Sequence, residues 1–228
     1  SATVAWATAA TCAAASICAP LFVYPMLSIF SAAALLLGVV YSFPPVRFSG
    51  RCFLDFLANG TGYGIIAFGA GWYFSGADFV GFGFWLSALP YFLLMCAGSI
   101  SSTLPDYDGD KKCGKNTTAV VLGVKSAHVL ATSILIAALI AGAVRSDAVA
   151  MMCAGCSLPF YVFYYVKPGR RSMEATYKVG GVLCMVFAAV LVPVAALTAL
   201  CVGLLTWLYF KLRHHTTYPS LVPVRHDE

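Results

Sequence analysis

Acidic side chains are almost missing from this chain: there are nine Asp and Glu in 228 residues, and none before Asp55. Charged residues of both signs together make up 10%, against about 25% in a soluble domain. With 61% hydrophobic residues, a chain of this length has no soluble fold that could hide so much apolar surface. The opening stretch SATVAWATAATCAAA lacks the basic n-region of a signal peptide, and it lacks an initiator Met, which points to removed upstream sequence. Cysteine is not scarce, at nine residues, but Cys12, Cys18, Cys96, Cys153, Cys184 and Cys201 lie within apolar runs. A thiol there behaves as a small hydrophobe. Cys153-x-x-Cys156 lacks the second pair that a zinc site would need, so packing is the expected role.

What the sequence does have is apolar runs long enough to cross a bilayer. Eight are expected, at 2–19, 21–42, 53–74, 79–104, 122–144, 147–166, 173–191 and 193–211. The reading is an all-α, multi-span transmembrane helical bundle forming one domain over 1–228. The last boundary, at Pro193, is set by charge. With eight crossings, thirteen of the fourteen Lys and Arg fall on one side with both termini, and only Arg145 on the other. So steep a bias places the basic loops and both termini in the cytoplasm. The default location is the cell (inner) membrane. The net charge of +5 then reports topology, and no nucleic-acid partner is expected.

Polar residues inside the runs are few. Asp55 and Asn59 share a helical face, and intramembrane polar groups are costly enough to suggest a functional pocket. The following Gly60-Thr61-Gly62-Tyr63-Gly64 reads as close helix packing. Pro90 and Pro159 are expected to bend their helices, and Glu174 with Lys178 reads as a surface ion pair.

The longest polar break is PDYDGDKKCGKNTTAVVLG, from Pro105 to Gly123. It gathers Asp106, Asp108 and Asp110 with Lys111, Lys112 and Lys115. The stretch fails as a calcium loop, since Lys111 replaces the Gly and Thr117 the closing Glu. It also fails as a P-loop, with Asn116 in place of Ser or Thr and no strand before it. The sequon Asn116-Thr117-Thr118 faces the cytoplasm and should stay unmodified. If helical, the stretch puts Asp106 and Asp110 on one face; if extended, Asp108 joins them. Either arrangement converges hard oxygen ligands suited to Mg²⁺ beside phosphate oxygens. The lysines would then neutralise the phosphate and not the aspartates. FPPVRFSGR, with Arg47 and Arg51, lies on the same side.

Taken together, YSFPPVRFSGRCFLDFLANGTGYG (Tyr41–Gly64) and LPDYDGDKKCGKNTTAVVLG (Leu104–Gly123) resemble the UbiA-type membrane prenyltransferases, the group of chlorophyll synthase, homogentisate prenyltransferases and lycopene elongases. EATYKVGG and TTYPSL resemble its C-terminal part more weakly. The resemblance implies transfer of an isoprenoid from a polyprenyl diphosphate to a hydrophobic acceptor within membrane lipid, with Mg²⁺ as cofactor. Its second D-x-x-x-D motif falls on the catalytic candidates Asp106 and Asp110, with Asp108 as an additional metal-site acid. The family's Tyr-Ser falls on Tyr41 and Ser42, and its loop cation on Arg47. Counter-charges for the diphosphate are then Arg47, Arg51, Lys111, Lys112 and Lys115. The substrate pocket would take Tyr41, Ser42, Asp55, Asn59 and Tyr63. The family's first aspartate motif, of N-D-x-x-D-x-x-x-D type, has no counterpart, since no acid precedes Asp55. An N-terminal truncation is expected, and the fragment alone would hold half of a two-part metal site and be inactive.

Two other classes compete: a catalytically dead scaffold, and a transporter or flippase for a phosphorylated lipid. The second lacks support, since there is no internal repeat and the polar residues cluster at one face instead of mid-membrane. The D-G-x-x-A-R signature of CDP-alcohol phosphotransferases is also missing.

Overall fold

Long apolar runs bounded by Pro and Gly become helices because, in lipid, only a helix satisfies every backbone polar group internally. The computed structural model describes residues 2–76 and 81–215. TTYPSL, Arg225 and the first two residues of the expected run 79–104 lie outside the described residues. Helices α1 (Ala2–Leu21) and α2 (Pro25–Ser42) form a hairpin. They are followed by α3 (Leu54–Asn59), a π-helical segment (Gly60–Ala67), α4 (Phe68–Phe74) and α5 (Phe82–Thr103). A 3₁₀ turn (Leu104–Asp106) leads into the short helices α6 (Tyr107–Lys112) and α7 (Thr118–Leu122). The long helices α8 (Val124–Val144), α9 (Ala148–Val166), α10 (Arg170–Leu191) and α11 (Pro193–His214) complete the chain. Among the described residues there is no strand, only an isolated bridge between Arg51 and Asn116.

Seven helices among the described residues are long and apolar enough to cross a membrane. The remaining expected crossing, 53–74, is helical from Leu54 to Phe74, but a π segment divides its α ladder. Val192 separates α10 from α11, as the charge distribution required, and Pro193 opens α11 where a missing N–H costs nothing. The two helices pack on each other as a hairpin. Pro90 and Pro159 both lie inside helices, α5 and α9.

The core runs between α5, α8 and α9. Helix α8 presents Ala127, Ala131, Leu135 and Ala138 on one stripe, and α9 answers with Ala150, Cys153 and Ala154. Small residues dominate because membrane helices associate by close van der Waals packing, not by hydrophobic expulsion from water. Cys153 is buried and Cys156 is partly buried, in keeping with a packing role. Gly60 and Gly64 press the π segment onto α5. A Cβ at Gly64 would collide with the backbone of Phe92, and one at Gly60 with the Cys96 sulfur. Helices α1 and α11 bury almost nothing inside the bundle.

Two polar ties mark the ends of the bundle. At one end Tyr91 donates to the Asp147 carboxylate (3.1 Å) and Arg145 to the Ser87 hydroxyl (3.3 Å), closing the α8–α9 turn against α5. At the other end the loop after α2 joins the loop after α6. Arg145, the one basic residue assigned to the far side, therefore lies at the end opposite those loops.

Candidate active site

The two sequence segments that stand out most turn out to be one structural unit. Asn116 N–H donates to the Gly50 carbonyl (3.0 Å), and Phe53 N–H to the Thr118 hydroxyl (2.8 Å). Asp55 completes the junction. Its carboxylate accepts from Thr118 N–H (2.7 Å), from the Thr118 hydroxyl (2.6 Å) and from Phe56 N–H (2.9 Å), with 3% of the residue exposed. Burial demands such pairing of a charge, and here it fastens the Arg47–Arg51 loop to the aspartate segment.

That segment is helical, so the helical alternative of the two geometries holds. Asp106 ends the 3₁₀ turn and Asp110 follows one turn later in α6, on the same face, while Asp108 projects from the opposite face. Among the described residues no group of three or more His, Cys, Asp or Glu gathers as a metal cage. Asp110 is buried and paired with Lys115 (2.6 Å). This corrects one expectation: Lys115 neutralises an aspartate and is not held free for phosphate, because Asp110 sits too deep to remain unpaired. Asp106 is exposed and takes part in no ion pair among the described residues. Lys111 lies over the Tyr107 ring, 5.8 Å from its centre, and Lys112 is exposed beside it. Arg47 is exposed with a left-handed backbone (φ 40°), and Arg51 donates to the Pro45 carbonyl (2.8 Å).

Below the aspartates lies a cavity of 340 Å³ between the π segment, α5, α8, α9 and α10. Ser102, one turn before Asp106, lines it, as do Ser99, Leu94, Met95, Leu135, Ser157, Tyr161, Thr176, Tyr177, Gly180 and Gly181. Three of its hydroxyls bond back to their own helix. Ser102 donates to the Ser99 carbonyl (2.8 Å), Ser157 to Cys153 (2.6 Å) and Thr176 to Met173 (2.6 Å). Hydroxyls bonded back to their own helix leave a largely apolar wall.

Of the expected pocket residues, Asn59 and Tyr63 line this cavity. Asn59 donates to Ser99 Oγ (2.8 Å) and to Tyr41 Oη (3.3 Å). Tyr41, Asn59 and Tyr63 also line an adjoining cleft of 290 Å³ against α2. Ser42 is exposed and lines neither, and Asp55 is fully engaged in the loop junction instead. Tyr63 projects from the π segment, a distortion that recurs at functional sites.

The contribution of α9 and α10 escaped sequence reasoning. The available signal was the small-residue pair Gly180-Gly181, at helical spacing from Thr176 and Tyr177. A second correction belongs to α10. Glu174, read as half of a surface ion pair, has a side chain only 9% exposed, held by Arg170 Nε (3.1 Å) and Lys178 Nζ (2.6 Å). Helix α10 packs against α9, α5 and the Leu104–Asp106 turn.

Among known protein families, the model of the UbiA prenyltransferase family matches residues 1–175. No curated protein and no solved structure matches the chain.

Proposed function

The chain belongs to the UbiA prenyltransferase family, matched over residues 1–175 of 228, and on that premise we propose that it transfers an isoprenoid from a polyprenyl diphosphate to a lipophilic acceptor within a membrane. The observation that carries this reading is an apolar cavity directly below a charged rim. Its 340 Å³ falls within the roughly 300–1,000 Å³ typical of ligand pockets. A ligand with an anionic head and a hydrocarbon tail matches both parts.

In this reading the diphosphate sits at the rim, between Asp106 and the Arg47 loop, and the isoprenoid lies along Ser99, Leu94 and Leu135. Arg47, Lys111 and Lys112 supply counter-charge, with arginine suited to bidentate phosphate contact. Mg²⁺ fits the donor set, because it is commonly held by one or two carboxylates plus substrate phosphates. Asp106 and Asp110 would hold it, Asp110 on release from Lys115. When bound, the ion offsets the negative charge that grows on the departing diphosphate. The apolar cavity walls exclude water from the allylic cation left when the carbon–oxygen bond breaks. Tyr63 and Tyr161 offer it electron-rich ring faces. Asn59 holds Tyr41 and Ser99 in place where the cavity meets the α2 cleft, which gives a second lipophile an approach to the reacting carbon.

The test is Mg²⁺-dependent binding of radiolabelled geranylgeranyl diphosphate to the protein expressed from its full reading frame. The expected result is binding that Asp106→Asn weakens by about tenfold or more, the worth of a contact to a charged group. Binding that Asp106→Asn leaves unchanged refutes the assignment. An inert scaffold would bind no diphosphate at all.

A further inference from the structure

The triad on α10 presents a problem that packing does not solve. Glu174 is almost fully covered, yet both its partners, Arg170 and Lys178, lie on the same helix at i−4 and i+4. The ion pairs therefore attach α10 to nothing else. A buried ionic group contributes little stability that an apolar residue would not supply better, and in a membrane it is costly to retain. Its cations are also incompletely used. Arg170 contacts Glu174 through Nε alone, leaving its terminal nitrogens outside the pair, and Lys178 donates to Glu174 Oε2 through an ammonium with three donors. The triad carries net charge +1.

Its position supplies the reason. Glu174, Tyr177, Lys178 and Gly181 follow one helical stripe, and Tyr177 and Gly181 line the cavity. Helix α10 packs against the Leu104–Asp106 turn. Asp106 and the triad thus flank the same end of the cavity. Lys115 of the aspartate loop is tied to Asp110. The loop has fewer free cations than its composition suggests.

We infer that Lys178 and Arg170 form a second, cationic wall of the diphosphate site, opposite Asp106, and that Glu174 is the positioning residue that holds them. This rests on the proposed diphosphate-dependent function. Arg170 and Glu174 lie within the family match, and Lys178 lies beyond its end at residue 175. One wall would meet the diphosphate through hard-oxygen chemistry, the other through direct ammonium and guanidinium contacts, so the head group is gripped from both sides of Tyr177.

The experiment uses the protein from its full reading frame in phosphatidylcholine nanodiscs. It reads displacement of radiolabelled geranylgeranyl diphosphate by inorganic pyrophosphate, with binding of uncharged geranylgeraniol as the second readout. Lys178→Met should weaken pyrophosphate about tenfold or more and leave geranylgeraniol unchanged, while Lys178→Arg should recover most of the loss. Unchanged pyrophosphate affinity in Lys178→Met overturns the inference. So does a parallel loss of geranylgeraniol binding, which would mark Lys178 as structural only. If Asp106→Asn loses the diphosphate while Lys178→Met keeps it, the proposed function stands and this wall does not. If the unaltered protein binds no diphosphate, both fall.

Discussion

Replacing Asp55 by Ala should unfold the junction between the two loops before it affects any ligand. The buried carboxylate accepts from Thr118 through both N–H (2.7 Å) and hydroxyl (2.6 Å). Hydrogen bonds to a charged group contribute about 1.5–3 kcal/mol each, so the two together reach about 3–6 kcal/mol. Part of that is offset because the variant no longer buries a charge, which leaves about 3–5 kcal/mol, the usual cost of removing one partner from a buried charged contact. Asp55→Asn keeps one accepting oxygen and should lose about half as much. Unfolding by SDS titration in mixed micelles measures the loss, and a double-mutant cycle with Thr118→Val isolates the pair. The expected coupling energy is about 2–3 kcal/mol, at the upper end for residues in direct contact. Additive single effects would refute the junction. So would an Asp55→Ala protein of unaltered stability that had lost ligand binding, which would return Asp55 to the pocket where the sequence placed it.

Gly64→Ala should cost folded protein in the same titration, since its Cβ meets the Phe92 backbone, whereas Gly98→Ala, which has open space before it, should not; equal stability of the two would contradict the close helix contact. Lys115→Met removes the cation that competes for Asp110, so donor binding should reach half-saturation at lower Mg²⁺; a need for more Mg²⁺ would show instead that Lys115 serves the phosphate. His128 is fully buried, bonded through Nε2 to the Tyr161 carbonyl (3.0 Å) and surrounded by the rings of Tyr161, Tyr164 and Tyr165. His128→Ala should destabilise by about 2–5 kcal/mol, as for other large-to-small core changes, and leave diphosphate affinity below the unfolding temperature unchanged; lost affinity in a folded variant would give His128 a ligand role.

The helices were legible because hydropathy and bilayer thickness act on every residue of a run at once. Even the Val192 break followed from counting charges on either side. The pairing of the charged residues was not legible in the same way. Whether Lys115 faces phosphate or Asp110 depends on how deep Asp110 sits, and burial is a tertiary fact. Glu174 and Lys178 have the spacing of a solvated pair, and nothing local says that the carboxylate will be only 9% exposed. Asp55 posed the same difficulty from the other direction: a buried acid is costly, but sequence does not reveal whether a ligand or Thr118 satisfies it. The π segment was hidden too, since GTGYGIIA carries helix-packing glycines without marking the extra residue in the turn.

An exposed, unpaired Asp106 would be weak support for catalysis by itself, because any carboxylate at a solvated helix end can remain unpaired. The stronger point is the contrast over the single turn between Asp106 and Ser102. Above it, Asp106, Arg47 and Lys112 stand exposed and outside every ion pair among the described residues. Below it, every hydroxyl of Ser102, Ser157 and Thr176 is bonded to its own helix, so the cavity has little to attract a polar ligand. A solute polar throughout would lose its hydration in such a cavity without replacement, and a wholly apolar one would gain nothing from the rim. Only a molecule divided at the same level, anionic above and hydrocarbon below, satisfies both regions. This division discriminates among ligands more sharply than the aspartates do. It predicts that lengthening the apolar tail of a diphosphate should improve binding until the cavity is filled, and that Gly98→Leu, which adds bulk at a position lining the cavity where a Cβ meets nothing within 4 Å, should move that limit to shorter chains. A series of radiolabelled prenyl diphosphates of increasing length measures it, and an affinity indifferent to chain length in both proteins would show that the hydrocarbon lies elsewhere.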